Sequence, residues 1–176
     1  ELLQNATAAQ QLPTLIGLVV ESHPSAPHRD WPLDKFSELT TRLHQRYPDA
    51  WFVVISGGLA AQKLKQLKAA AGGQLVDFGG RLSMRESVAV MAELNLYVGV
   101  DTGPTLFAAA LGTPSVMMFH CMRAASLVIN PVKPENVTAI DHPLEREYCS
   151  LDTPMGQVSV GIVYEAACTY LDVLQS

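Results

Sequence analysis

The chain has 176 residues, of which 48% are hydrophobic and 16% charged, and 17 acidic against 12 basic residues give a net charge of −5. This composition excludes a disordered chain and fits one globular domain that buries its own core. It also opposes a nucleic-acid partner held by bulk electrostatics, and no apolar run approaches the ~20 residues that a bilayer span needs.

Three cysteines, Cys121, Cys149 and Cys168, are odd in number and widely spaced. They predict free thiols in a reducing, cytoplasmic setting, with neither a disulfide framework nor a Cys-x-x-Cys site. No secretory signal is visible, and the chain begins at Glu1. Residues 1–12 are polar and unpatterned, a lead-in or linker remnant, and residues 13–176 form the domain.

Thr14–Val20 is a short apolar run that ends at Glu21, and predicts a buried strand. Residues 22–31, with two prolines and two histidines, form a loop. Leu33, Phe36, Leu39, Leu43 and Tyr47 recur at helical spacing until Pro48. Trp51–Ile55 is a second strand, followed by Gly57 and Gly58; a helix from about Leu59 to Ala71 then closes at Gly72 and Gly73. Gln74–Phe78 is a third strand, and Ser83 with Glu86 is a capping box opening a helix to about Glu93. Leu94–Val100 is a fourth strand, leading through Asp101-Thr102-Gly103-Pro104 into a short apolar helix, Leu106–Leu111, stopped by Gly112. Ser115–Phe119 is a fifth strand, residues 120–135 are irregular, Asn136–Ile140 is a last short strand, and Val158–Leu174 is a helix. This alternation predicts an α/β fold: a Rossmann-like parallel sheet sandwiched by helices, with ligands beyond the carboxyl ends of its strands.

Among the loops that follow strands, the most informative is Asp101-Thr102-Gly103-Pro104-Thr105. Asp101 or Thr102 can cap the helix, and Pro104 is tolerated in a first turn. The remaining N–H groups, the threonine hydroxyls and the helix dipole make an anion site that Gly103 lets a ligand approach closely. The aspartic-protease triplet Asp-Thr-Gly is opposed by the α/β alternation. Ser22, Ser25, His28 and Arg29 place hydroxyls and a guanidinium on one loop, a set that suits a phosphate. Neither G-x-x-x-x-G-K-[ST] nor G-x-G-x-x-G is present, which disfavours a P-loop and a plain dinucleotide site. Lys63, Lys65 and Lys68 read as a solvated helix face, Glu145, Arg146 and Glu147 as surface charge, and the histidines show no metal-ligand spacing, so no metal is expected.

The order of these pieces resembles the C-terminal half of glycosyltransferase family 9, the lipopolysaccharide heptosyltransferase type with a two-domain GT-B fold. The resemblance rests on Arg29-Asp30-Trp31-Pro32, on Val54–Gly58, on Phe78–Glu86 and above all on Asp101-Thr102-Gly103-Pro104-Thr105 with Ala108–Pro114. It implies that Asp101, Thr102, Gly103 and Thr105, with Ser25 and Arg29, hold the diphosphate of a nucleotide-sugar donor, and that Gly57, Gly58, Arg81 and Leu82 lie at the base and ribose. An ADP-sugar is the implied donor and a glycolipid or other glycan the acceptor, with inverting transfer, no separate cofactor and at most peripheral contact with the inner membrane. The catalytic base is implied to lie in an N-terminal half that these residues lack, so the start at Glu1 reads as a cut between two domains. Three positions depart from the family pattern: Leu106 replaces a histidine, Ala60 or Ala61 an acidic residue, and His120 a glycine. A non-catalytic GT-B-like binding module, marked by Leu106 and Ala60, is the alternative, and another GT-B enzyme such as a sugar-nucleotide epimerase a third.

Overall fold

The computed structural model describes residues 13–55, 57–122 and 136–175. The expected lead-in at 1–12 and most of the irregular stretch, 123–135, lie outside the described residues. Strands β1 (Leu15–Val19), β2 (Trp51–Val54), β3 (Leu75–Asp77), β4 (Leu96–Val100), β5 (Ser115–Phe119) and β6 (Val137–Asp141) form one sheet in the order β3-β2-β1-β4-β5-β6. All neighbours are parallel, and β1 lies between β2 and β4 with Leu18 opposite both Val54 and Val98. Parallel strands need crossovers, and helices α1 (Leu33–Arg46), α2 (Ala61–Ala70), α3 (Met84–Ala92) and α4 (Gly103–Leu111) supply them, while α5 (Val160–Leu171) closes the chain. Among the described residues, no helix is long and apolar enough to cross a membrane.

Two apolar layers hold the sheet. Leu18, Val54, Leu96, Val98 and Val100 pack on one face with Phe36, Leu39 and Leu43 of α1 and Val163 and Ala167 of α5. Val19, Val53, Tyr97 and Met117 pack on the other with Met91 of α3 and Ala108 of α4. Every residue of β4 and β5 is buried, as expected of central strands covered on both faces. Gly99 is fixed by its neighbour: a Cβ there would stand 2.7 Å from the Tyr97 hydroxyl and 2.9 Å from its ring.

The elements follow the sequence expectations with small shifts. The capping box forms, with Ser83 Oγ accepting from the Glu86 amide and the Glu86 carboxylate accepting from the Ser83 amide. Helix α4 starts at Gly103, three residues earlier than the apolar run implied, because Pro104 fits its first turn and Thr102 enters in an extended conformation. Thr102 does not cap it through its side chain; its hydroxyl goes to Thr105 instead. The last helix stops at Leu171 and tightens into a 3-10 turn, Asp172–Gln175. There Asp172 accepts from Tyr47 Oη at 2.6 Å and from Arg46 at 2.9 Å, tying the end of α5 to the end of α1.

The cysteine expectation is corrected. Cys121, just past β5, and Cys149 form a disulfide with Cα atoms 5.9 Å apart, and Cys168 remains as a buried free thiol. A separation of 28 residues hid this pairing, since only the return of the chain after β6 brings the two together. For the central strands, Gly99→Ala is expected to lower unfolding free energy by about 1–3 kcal/mol through overpacking against Tyr97, read as a shift in urea midpoint at constant m.

Candidate functional site

The connection after β1 leaves towards β2 and that after β4 towards β5, so the chain parts above two adjacent strands. Such a switch point opens a crevice beyond the carboxyl edge of the sheet. Two cavities of about 300 Å³ each occupy it and share Ile55, Gly103 and Pro104. One lies between the β1 loop and the start of α4, lined by Glu21, Ser22, His23, Pro24, Gly57 and Thr102. The other runs beside α3 and α4 and is lined mainly by apolar groups, including Leu82, Met84, Val88, Met91 and Phe107. Among the described residues, none crowds Gly103: a Cβ built there meets nothing within 4 Å.

The loop that carries Arg29 is knit by its own backbone. Ser22 donates through its amide to Asp30 Oδ1 at 2.6 Å and through its hydroxyl to the Ala26 carbonyl at 2.7 Å, and a 3-10 turn spans Pro27–Arg29. Trp31, 1% exposed, anchors its end by donating Nε1–H to the Val158 carbonyl at 3.0 Å and by an edge contact with Phe36. This holds the Arg29 guanidinium 3.6 Å from the carboxylate of Asp101, which is 2% exposed. Asp101 thus holds the Arg29 cation one residue from Thr102, which lines the crevice. His28 beside it has its pKa lowered by burial first, then by the nearby His120 and Arg29.

Beneath the Asp101–Gly103 turn lies a buried polar chain. Thr105 Oγ1 donates to the Val100 carbonyl and accepts from Tyr97 Oη at 2.8 Å and from Thr102 Oγ1 at 3.2 Å. Tyr97 and Thr105 are both 0% exposed, and burial pushes the Tyr97 pKa up. Thr105, expected at a diphosphate, therefore has its hydroxyl committed to the floor of the turn and turned away from solvent.

The remaining expected residues divide. Gly57, Leu82, Thr102 and Gly103 line the crevice. Ser25, Arg29, Gly58, Arg81, Asp101 and Thr105 line neither cavity. The Ser25 hydroxyl bonds to His23 Nδ1 at 2.8 Å, and the Arg81 guanidinium turns back on Asp77, 3.2 Å from its carboxylate. Gly58, at φ 103°, belongs to a backbone contact, because a Cβ on Gly79 would stand 3.0 Å from Gly58 Cα. The expected solvated face is exposed, and Lys63 on it pairs with Glu21. Among the described residues, one group of histidine, cysteine or acidic donors is close enough to hold a metal: His120, Cys121 and Cys149, within 4.8 Å of one another. In the structure its two sulfurs are bonded to each other.

The family model for glycosyltransferase family 9 (heptosyltransferase) matches residues 3–144. The chain belongs to glycosyltransferase family 9. No curated protein sequence matches it. Among solved structures it is similar to ADP-heptose lipopolysaccharide heptosyltransferase II of E. coli, at 18% identity and a TM-score of 0.73, covering 93% of this chain and 48% of that one. A family 9 glycosyltransferase from Veillonella parvula matches at 16% and 0.68, covering 94% and 48%, and the E. coli heptosyltransferase WaaC with ADP at 17% and 0.67, covering 90% and 44%. The chain thus spans about half the length of the structures it matches, and its sheet is one Rossmann-like half of their GT-B fold.

Within this family 9 domain, sequence reasoning missed His23 and the apolar wall of Met84, Val88, Met91 and Phe107. Met84, Val88 and Met91 do recur at helical spacing after the capping box, but a stripe facing a cavity has the same period as one facing a core. For the buried chain under the turn, Thr105→Val is expected to cost about 1–3 kcal/mol, because it leaves Tyr97 Oη and the Val100 carbonyl without their partner. A urea unfolding curve measures this loss.

Proposed function

We propose that this chain is the donor-binding half of a nucleotide-sugar glycosyltransferase of the heptosyltransferase type. The observation that carries the proposal is the divided crevice at the switch point, with an apolar arm beside α3 and a second arm between the loop after β1 and the start of α4, meeting at Gly103. The apolar arm suits a purine nucleoside packed among Leu82, Met84 and Phe107. The second arm, which carries Ser22, His23 and Thr102, suits a diphosphate, which would receive N–H groups at the start of α4 and the positive end of its dipole, with the Arg29 guanidinium turning from Asp101 to reach it. ADP is bound to the structural neighbour WaaC, which supports an adenine nucleotide here.

In this proposal the chain's own chemical task is electrostatic. As the bond from the anomeric carbon to the diphosphate breaks, negative charge grows on the leaving oxygens, and fixed donors already aimed there lower its cost. Leu106, where the family motif carries histidine, is 43% exposed and supplies no polar group, so Arg29 and the helix start carry that task. Activation of an acceptor hydroxyl, a glycolipid or other glycan, is assigned to a further half of the protein. A cytoplasmic location with at most peripheral membrane contact completes the proposal.

Calorimetric titration with ADP and with adenosine tests the two arms separately. The chain is expected to bind ADP weakly. Arg29→Ala is expected to weaken ADP by roughly tenfold or more, the worth of a charge-assisted hydrogen bond, and to leave adenosine unaffected. Phe107→Ala is expected to weaken both ligands. Equal affinities for wild type and both variants would overturn the assignment.

A further inference from the structure

The Cys121–Cys149 disulfide has no part in the donor crevice, yet Cys121 follows a histidine that packs against the loop carrying Arg29. His120 stands edge-on to His28 at 5.1 Å between ring centroids and 5.9 Å from His142. His28 is adjacent to Arg29, whose guanidinium lies at Asp101. On the other side of the bond, the segment after Cys149 folds back along the Arg29 loop. His120 Nε2 bonds to the Thr153 carbonyl at 2.9 Å and His142 Nε2 to the Pro154 carbonyl at 3.2 Å. Their Nδ1 atoms accept the Met122 and Leu144 amides at 3.2 and 3.0 Å, which leaves each Nε2 as the donor. Met155 is buried, a Cβ on Gly156 would meet Pro32 at 3.3 Å, and the Val158 carbonyl receives the Trp31 indole. Residues 150–158 therefore brace the loop that positions Arg29, and the disulfide pins the start of that brace to the end of β5.

We propose that Cys121–Cys149 is a redox-controlled clamp on the Arg29 loop, opened by a dithiol reductant and closed by its oxidised partner. Cys149 is half-buried, beside the exposed Tyr148 and Leu151, whereas Cys121 is 5% exposed, so Cys149 Sγ is the atom a reductant reaches. The reductant's thiolate attacks Cys149 Sγ, and the breaking S–S bond sends its electron pair to Cys121 Sγ, which takes a proton. The reductant's second thiol then displaces Cys149 as a thiol and closes the reductant's own disulfide, so one protein disulfide and one dithiol become one protein dithiol and one cyclic disulfide. With the bond open, the brace is held to the end of β5 and β6 by the two histidine hydrogen bonds, and the loop it supports loosens. In a reducing compartment such a bond opens and closes with the local thiol poise, which makes it a control. Its effect on ligand binding rests on the donor-site reading; its effect on the loop does not.

Hydrogen exchange of the 176-residue chain, read by mass spectrometry before and after dithiothreitol, tests the clamp, with ADP affinity measured on the same samples. Reduction is expected to speed exchange in 22–32 as well as 144–158 and to weaken ADP by at least about fivefold, the lower end of typical site-to-site coupling. Cys149→Ser should behave as the reduced chain without reductant, and Cys168→Ser should respond like wild type. Unchanged exchange, acceleration confined to 144–158, or acceleration that extends through β4 and β5 as global unfolding would overturn the clamp. So would a chain purified with stoichiometric zinc and no disulfide, which would make His120, Cys121 and Cys149 a metal site. Faster exchange at 22–32 in a chain that binds no ADP in either state would support the clamp and remove the donor reading instead.

Discussion

Everything in this molecule that bears on ligand binding depends on one topological constraint, the reversal between β1 and β4. An all-parallel sheet grows outward from its middle in two directions, and the two central strands must send their connections apart. The crevice is what that parting leaves uncovered. Its floor is rigid because β4 is buried on both faces, and its two rims are the loop after β1 and the first turn of α4. Helix α3 then adds an apolar side wall, so a cleft with two arms follows from strand order and three short segments.

Polar groups buried at such an edge are expensive unless each finds a partner. Here they are organised into two sets. Tyr97, Thr105 and Thr102 bond to one another and to the Val100 carbonyl, fixing the turn from below. Asp101 and Arg29 pair beside the turn, and the arginine side chain stays one-quarter exposed. In an acidic chain, a local cation of this kind outweighs an unfavourable net field only at short range.

Much of this was legible in the sequence, for identifiable reasons. Apolar runs ending at Glu21 and Asp101, the capping box at Ser83 and the stop at Gly112 mark elements whose local chemistry agrees with their tertiary setting. The candidate site was legible to the level of loops. Within the loops, side-chain direction was not: Thr105 and Thr102 are equally good phosphate ligands in a linear motif, and only the packing of Tyr97 beneath them assigns Thr105 to the floor. Arg81 and Ser25 likewise spend their polar groups on near neighbours, Asp77 and His23. The Cys121–Cys149 bond lay beyond reach, since no local pattern reports that the segment after β6 returns to the end of β5.

In the proposed function, one ligand spans both arms of the crevice through Gly103. Backbone amide NMR of the isotopically labelled chain during titration with ADP tests it most directly. Shifts are expected in three separate segments, 21–29, 82–88 and 102–107, saturating together with one dissociation constant. Shifts confined to a single segment, or centred on the exposed Trp51 and Val76 near the β3 edge of the sheet, would contradict it.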